Sequence, residues 1–151
     1  ILHIVRDPRD VFASLRQAGK WDSIAEFSER WCAFLGAAAG VTGADLLELR
    51  YEDLVADPEA TMARVLEHLD EPWQPEVARF AGQAEDYERV LAATGKASTT
   101  LERLGEPLSE RRVGIWQDLI AADELAGLRA AAAKRGLGGL YDRIVSQTPG
   151  G

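Results

Sequence analysis

A chain of 151 residues with 46% hydrophobic and 28% charged side chains has the size and composition of one ordinary globular domain. Its net charge of −8 argues against a nucleic-acid binder, and no apolar run approaches a membrane span. A single cysteine and two histidines exclude an internal disulfide and argue against a metal site.

Ile1 to Val5 is a short apolar run with β-branched residues, which predicts a strand buried on both faces. Asp7-Pro8 stops it and opens a helix over about 8–18. Asp7 is the expected N-cap, Pro8 takes the first helical position, Asp10 folds back onto the cap, and Gly19 ends the helix. Arg6 therefore stands at the carboxyl end of a strand, where open α/β sheets bind their ligands. Ser14 follows two turns into the helix. An arginine fork beside a hydroxyl suits a phosphate that must be held in one orientation.

Ser23-x-x-Glu26 opens a second helix running to about residue 39, with Ile24, Phe27, Trp31, Phe34 and Ala38 as its core stripe. A strand at about 46–50 then gives a β-α-α-β unit with a parallel pair. Asp57-Pro58 starts the next helix, which carries Met62, Val65, Leu66 and Leu69 on one face. Pro72 and Pro75 break the chain before a short helix near 76–81 and a further helical stretch at 83–91. Residues 92–114 read as a long loop rich in Ser, Thr, Gly and Pro. A helix at 122–135 ends at Gly136, and a short helix near 140–146 closes the chain.

Three local features add to this reading. Residues 1–20 hold four basic and two acidic side chains, and residues 96–112 hold four basic and three acidic ones. A locally positive cleft in an acidic protein suits a small polyanion better than a polymer. His3 reads as a packing residue of the strand, His68 as a surface residue at a helix end, and Cys32 as a small buried hydrophobe.

Arg6-Asp-Pro-Arg-Asp-Val, with Ser14 eight residues after Arg6, resembles the 3′-phosphate motif of sulfotransferases that use 3′-phosphoadenosine 5′-phosphosulfate (PAPS). The resemblance implies that Arg6 and Ser14 bind the 3′-phosphate. Leu46-Leu-Glu-Leu-Arg50-Tyr51-Glu52-Asp53-Leu54 is similar to the family's next strand, which implies that Tyr51 packs against or bonds the adenine. Ser109-Glu-Arg111-Arg112-Val-Gly114-Ile-Trp116 is similar to the C-terminal cofactor segment, which implies cofactor roles for Arg111, Arg112 and Gly114. The family also places a Ser/Thr loop between these two segments, which points to Ser98 or Thr99 as a contact of the adenine or 3′-phosphate.

The implied fold is α/β: the C-terminal part of a P-loop-like sulfotransferase fold, with a parallel strand pair among many helices. Two parallel strands do not make a sheet that stands alone, and Ile1 already lies within a strand pattern. The chain is therefore expected to be a partial domain, completed by an N-terminal part of the same protein that carries the phosphosulfate loop. No Gly-x-x-Gly-x-Gly-Lys segment occurs in it, and no catalytic residue is assigned. The implied reaction moves a sulfuryl group from PAPS to an acceptor hydroxyl or amine and releases adenosine 3′,5′-bisphosphate, with no metal. The acceptor, small or polymeric, is not specified by the sequence. With no signal-peptide pattern, the expected location is cytoplasmic. Two other functions compete: a P-loop nucleotide enzyme such as a small kinase, and a non-catalytic helical interaction domain.

Overall fold

The computed structural model describes residues 1–41, 45–78, 89, 92–93 and 110–146. They fall into two compact units, one formed by Ile1–Glu52 with Arg111–Gly151 and one by Asp53–Glu110. In the first unit, β1 (Leu2–Val5) leads into α1 (Pro8–Gln17), α2 (Ile24–Ala39) and β2 (Leu47–Arg50). The two strands pair in parallel with Leu2 opposite Leu47 and Val5 opposite Arg50. This register sets Arg6 and Tyr51, the residues that follow the strands, beside each other.

The helix ends follow from local chemistry. The Asp7 side chain accepts the Arg9 N–H at 2.9 Å, with Pro8 in the first turn, so α1 starts where its sequence requires. It stops at Gly19, whose φ of +62° is strained for any other L residue. Ser23 Oγ accepts the Glu26 N–H at 3.3 Å to open α2. α5 (Ala122–Lys134) begins with the Ala121 N–H bonded to the Glu124 carboxylate at 3.2 Å, and α6 (Gly138–Ser146) follows.

The core of this unit joins Phe12 and Ala13 of α1, Phe27 and Cys32 of α2, Ile120 just before α5, Leu128 and Ala132 of α5, and Tyr141 of α6. The Phe12 and Phe27 rings lie 5.2 Å apart, and Trp31 meets Tyr141 edge-on at 6.0 Å. Each large apolar side chain fully buried contributes about 1.5–3 kcal/mol, so this cluster holds the helices of the unit together. Cys32 is buried as expected, and burial pushes its thiol pKa up.

In the second unit, which begins within α3 (Tyr51–Ala56), α4 (Pro58–His68) is capped by Asp57, whose side chain accepts the Ala60 N–H at 2.9 Å. Val65 and Thr61 form its buried face, His68 lies in its last turn, and Pro75–Ala78 makes a 3₁₀ turn.

Several sequence expectations are corrected. β1 is not buried on both faces: Leu2 and Ile4, alternate residues that project from the same face of the two-stranded sheet, are 43% and 60% exposed, whereas Val5 on the other face is buried. Phe34 is 68% exposed, because the buried face of α2 is centred on Phe27, Ser28, Cys32 and Leu35. His3 is half-buried, with Nδ1 3.6 Å from Glu48 Oε2, rather than packed in the core. The helix expected near 76–81 appears as the 3₁₀ turn, and most of the stretch at 83–91 lies outside the described residues.

Candidate functional site

The first turn of α1 is buried although it is mostly charged: Asp7 and Asp10 are inaccessible to solvent and Arg9 nearly so. Burial of this kind is tolerated only where each charge is paired and bonded. Asp7 and Arg9 satisfy each other, with Arg9 Nη2 2.6 Å from Asp7 Oδ2 and Nε 3.0 Å from Oδ1. Arg9 Nη2 also donates to the Val145 carbonyl at 3.2 Å, and its guanidinium carbon lies 4.0 Å from the centre of the Trp116 ring.

Asp10 does not fold back onto the cap. The Asp7 N–H is taken instead by Glu52 Oε1 at 2.9 Å, from the residue two past the end of β2. This leaves the Asp10 carboxylate for two backbone donors distant in sequence, Gly114 N–H on Oδ2 at 2.8 Å and Trp116 N–H on Oδ1 at 3.2 Å. Burial pushes the Asp10 pKa above the usual aspartate range, and these two bonds pull it partly back. Glu52 is itself buried, with Oε2 3.4 Å from Arg50 Nη2.

Above this layer, three segments converge. Arg6 Nη2 donates to the Arg112 carbonyl at 2.6 Å, and the Arg6 guanidinium carbon lies 4.4 Å from the centre of the Tyr51 ring. Arg112 Nη1 reaches Ser14 Oγ at 3.4 Å, the outer limit of a hydrogen bond. Arg6, Ser14, Tyr51 and Arg112 thus form one continuous half-buried cluster. Arg112 belongs to a 3₁₀ turn, Glu110–Arg112, and Gly114 adopts φ +81° to start a second one at Ile115–Asp118. A residue with a side chain would be strained at that φ, so the glycine permits the bend.

The four cluster members were all expected from the sequence as cofactor residues. Arg111 is exposed, and the bonds to Arg6 and Ser14 run through Arg112 instead. The Gly114 N–H is committed to Asp10. Ser98 lies outside the described residues. Sequence reasoning missed the supporting roles of Arg9, Asp10 and Glu52; the only signal was a density of charge in Arg6-Asp-Pro-Arg-Asp10 that a solvated helix start does not need.

Residues 1–75, which include Arg6, Ser14 and Tyr51, match the profile of the sulfotransferase family. That stretch is similar to the sulfotransferase family, over just under half of the chain. The match stops short of Arg112 and Gly114, so the contacts of the sulfotransferase corner with that turn are a finding of the geometry. No curated protein and no solved structure matches the chain.

Two buried donors in the site have no hydrogen-bond partner, Arg6 Nε and Trp116 Nε1. An unpaired buried N–H is costly, and one on a guanidinium beside a hydroxyl and a second arginine fits an anionic group. Among the described residues, no group of His, Cys, Asp or Glu could hold a metal ion, and no helix is long and apolar enough to cross a membrane.

Proposed function

We propose that this chain forms the 3′-phosphate and adenine side of the nucleotide site in a PAPS-dependent sulfotransferase. The observation that carries the reading is the meeting of Arg112 with both Arg6 and Ser14, across 106 and 98 residues of sequence. Two arginines and a hydroxyl on a strand-to-helix corner present fixed donors to a phosphate from several directions. The Arg112 carbonyl occupies Arg6 Nη2 in the free protein, and the 3′-phosphate takes that donor together with the unpaired Nε.

Tyr51, whose ring centre lies 4.4 Å from the Arg6 guanidinium carbon, offers its ring to the adenine. Gly114 contributes the bend, and the exposed Arg111 supplies an outer contact. When bound, PAPS supplies the sulfuryl group that passes to a hydroxyl or amine acceptor. The residues of this chain bind and orient the nucleotide; no acid–base role is assigned to them. Arg6, Arg9 and Arg112 crowd the corner, yet Asp7, Asp10 and Glu52 neutralise much of that charge from below.

Thermal unfolding with added nucleotide separates this reading from its competitors. Adenosine 3′,5′-bisphosphate should raise the melting temperature well beyond ADP at the same concentration. An equal or larger shift with ADP would favour a kinase-like nucleotide enzyme. No shift with either would favour an interaction domain and overturn the proposal.

A further inference from the structure

Two residues of the strand-to-helix corner, Arg9 and Asp10, make no direct contact with Arg6, Ser14, Tyr51 or the Arg112 side chain and engage the turn that follows Arg112 instead. Asp10 is fully buried, and each of its carboxylate oxygens takes one backbone N–H, from Gly114 at 2.8 Å and Trp116 at 3.2 Å. Arg9 covers the Trp116 ring with its guanidinium, 4.0 Å from the ring centre. Both hold the same short piece of chain, and that piece begins two residues after Arg112.

Resting on the PAPS reading above, we infer that Asp10 is a positioning residue, which by fixing Gly114 and Trp116 aims Arg112 at Ser14 and Arg6 and so sets the affinity for a 3′-phosphorylated adenine nucleotide. Arg112 meets the corner twice, by its carbonyl at Arg6 and by its side chain at Ser14. Any rotation of the 110–116 turn therefore moves both contacts together. Gly114 has no side chain with which to hold its own bend at φ +81°, so the hold comes from outside the turn. A carboxylate suits this task because it accepts on both oxygens without offering a donor. Keeping a charge there costs desolvation, which a purely local capping role in an exposed first turn would not incur.

Asp10→Asn is the informative substitution. It preserves volume but presents one oxygen and one NH₂, so one of the two backbone N–H groups then faces a donor. Calorimetry with adenosine 3′,5′-bisphosphate is run on the wild type, Asp10→Asn, Arg112→Ala and the double variant. Asp10→Asn should weaken binding about tenfold, the scale of a lost charge-assisted bond. In the Arg112→Ala background it should cost less than about twofold, because residues acting through one another are not additive. Additive losses, or no loss from Asp10→Asn, would overturn the inference.

The protein labelled with 5-fluorotryptophan gives a second reading that needs no nucleotide. The Trp116 fluorine signal, assigned through Trp116→Phe, should shift or broaden in Asp10→Asn while those of the core-packed Trp21 and Trp31 stay in place. An unmoved Trp116 signal counts against the clamp, and loss of all dispersion marks a folding defect. In that case Asp10→Glu, which keeps a carboxylate but shifts its oxygens from the Gly114 and Trp116 N–H groups, enters the same cycle with Arg112→Ala, and additivity again refutes. Absence of wild-type binding would refute the PAPS reading itself, whereas wild-type binding indifferent to Asp10 refutes only the inference.

Discussion

Replacing Arg6 by alanine tests the phosphate assignment at its centre. Three features of Arg6 set the size of the effect: its bond to the Arg112 carbonyl at 2.6 Å, its place 4.4 Å from the Tyr51 ring centre, and its buried, unpaired Nε. Binding exchanges a neutral carbonyl for a phosphate and gives Nε a partner. Bonds to a charged group contribute about 1.5–3 kcal/mol each, and the buried Nε has already lost its water. Arg6→Ala should therefore weaken adenosine 3′,5′-bisphosphate by about 2–3 kcal/mol, roughly 30- to 150-fold. AMP, which lacks the 3′-phosphate, should lose only what the disturbed Tyr51 contact supplied, about 0.5–1 kcal/mol. Arg6→Lys retains the charge without the planar fork and should fall between alanine and wild type. Isothermal titration of each variant with both nucleotides, after a check that melting is cooperative, gives the comparison. Equal losses for the two nucleotides would refute the reasoning, since Arg6 would then act on the shared adenosine 5′-phosphate portion or on the fold.

Leu128, fully buried in the core of the first unit, should cost about 3 kcal/mol when replaced by alanine, read from urea unfolding; a loss under about 1 kcal/mol would mean that the core is not packed as described. The Glu124 carboxylate pairs with Arg16 through Nη1 at 3.0 Å and through Nη2, and that bond holds its pKa below the usual glutamate range. Because the folded value is the lower one, the pair's contribution of about 0.5–1 kcal/mol is complete above the ordinary glutamate range and lost as pH falls through the folded value. The stability gap between wild type and Glu124→Gln should accordingly close in acid, and a gap independent of pH would contradict the ion pair. The 151-residue chain incubated with labelled PAPS and a panel of phenols, alcohols and amines should transfer no label above background; turnover would reveal a catalytic group outside the Arg6–Ser14–Tyr51–Arg112 cluster.

What could be read from the sequence was what is encoded locally. The Asp7-Pro8 helix start, the Ser23 and Asp57 caps and the Gly19 stop depend on neighbours within a few residues, and all lie where expected. The parallel pairing of the strands followed from the crossover between them. Asp10 was misread because spacing offered a local partner, whereas two N–H groups more than 100 residues away were better placed. β1 and Phe34 were misread because apolar pattern reports what can be buried, and tertiary contact decides what is. α3 was missed because Tyr51-Glu52-Asp53 directly follows a strand, with no capping residue to separate the two. Arg6, Ser14 and Tyr51 were legible as parts of a motif. The choice of Arg112 over Arg111 was not, because only the twist of a 3₁₀ turn directs one of two adjacent arginines at Ser14.

A crystal structure of the protein with adenosine 3′,5′-bisphosphate tests the central claim most directly. The account predicts the 3′-phosphate within hydrogen-bonding distance of the Arg6 guanidinium and Ser14 Oγ, with Arg112 turned onto the same phosphate and the adenine against Tyr51. A nucleotide bound with its 3′-phosphate away from both Arg6 and Ser14 would contradict it.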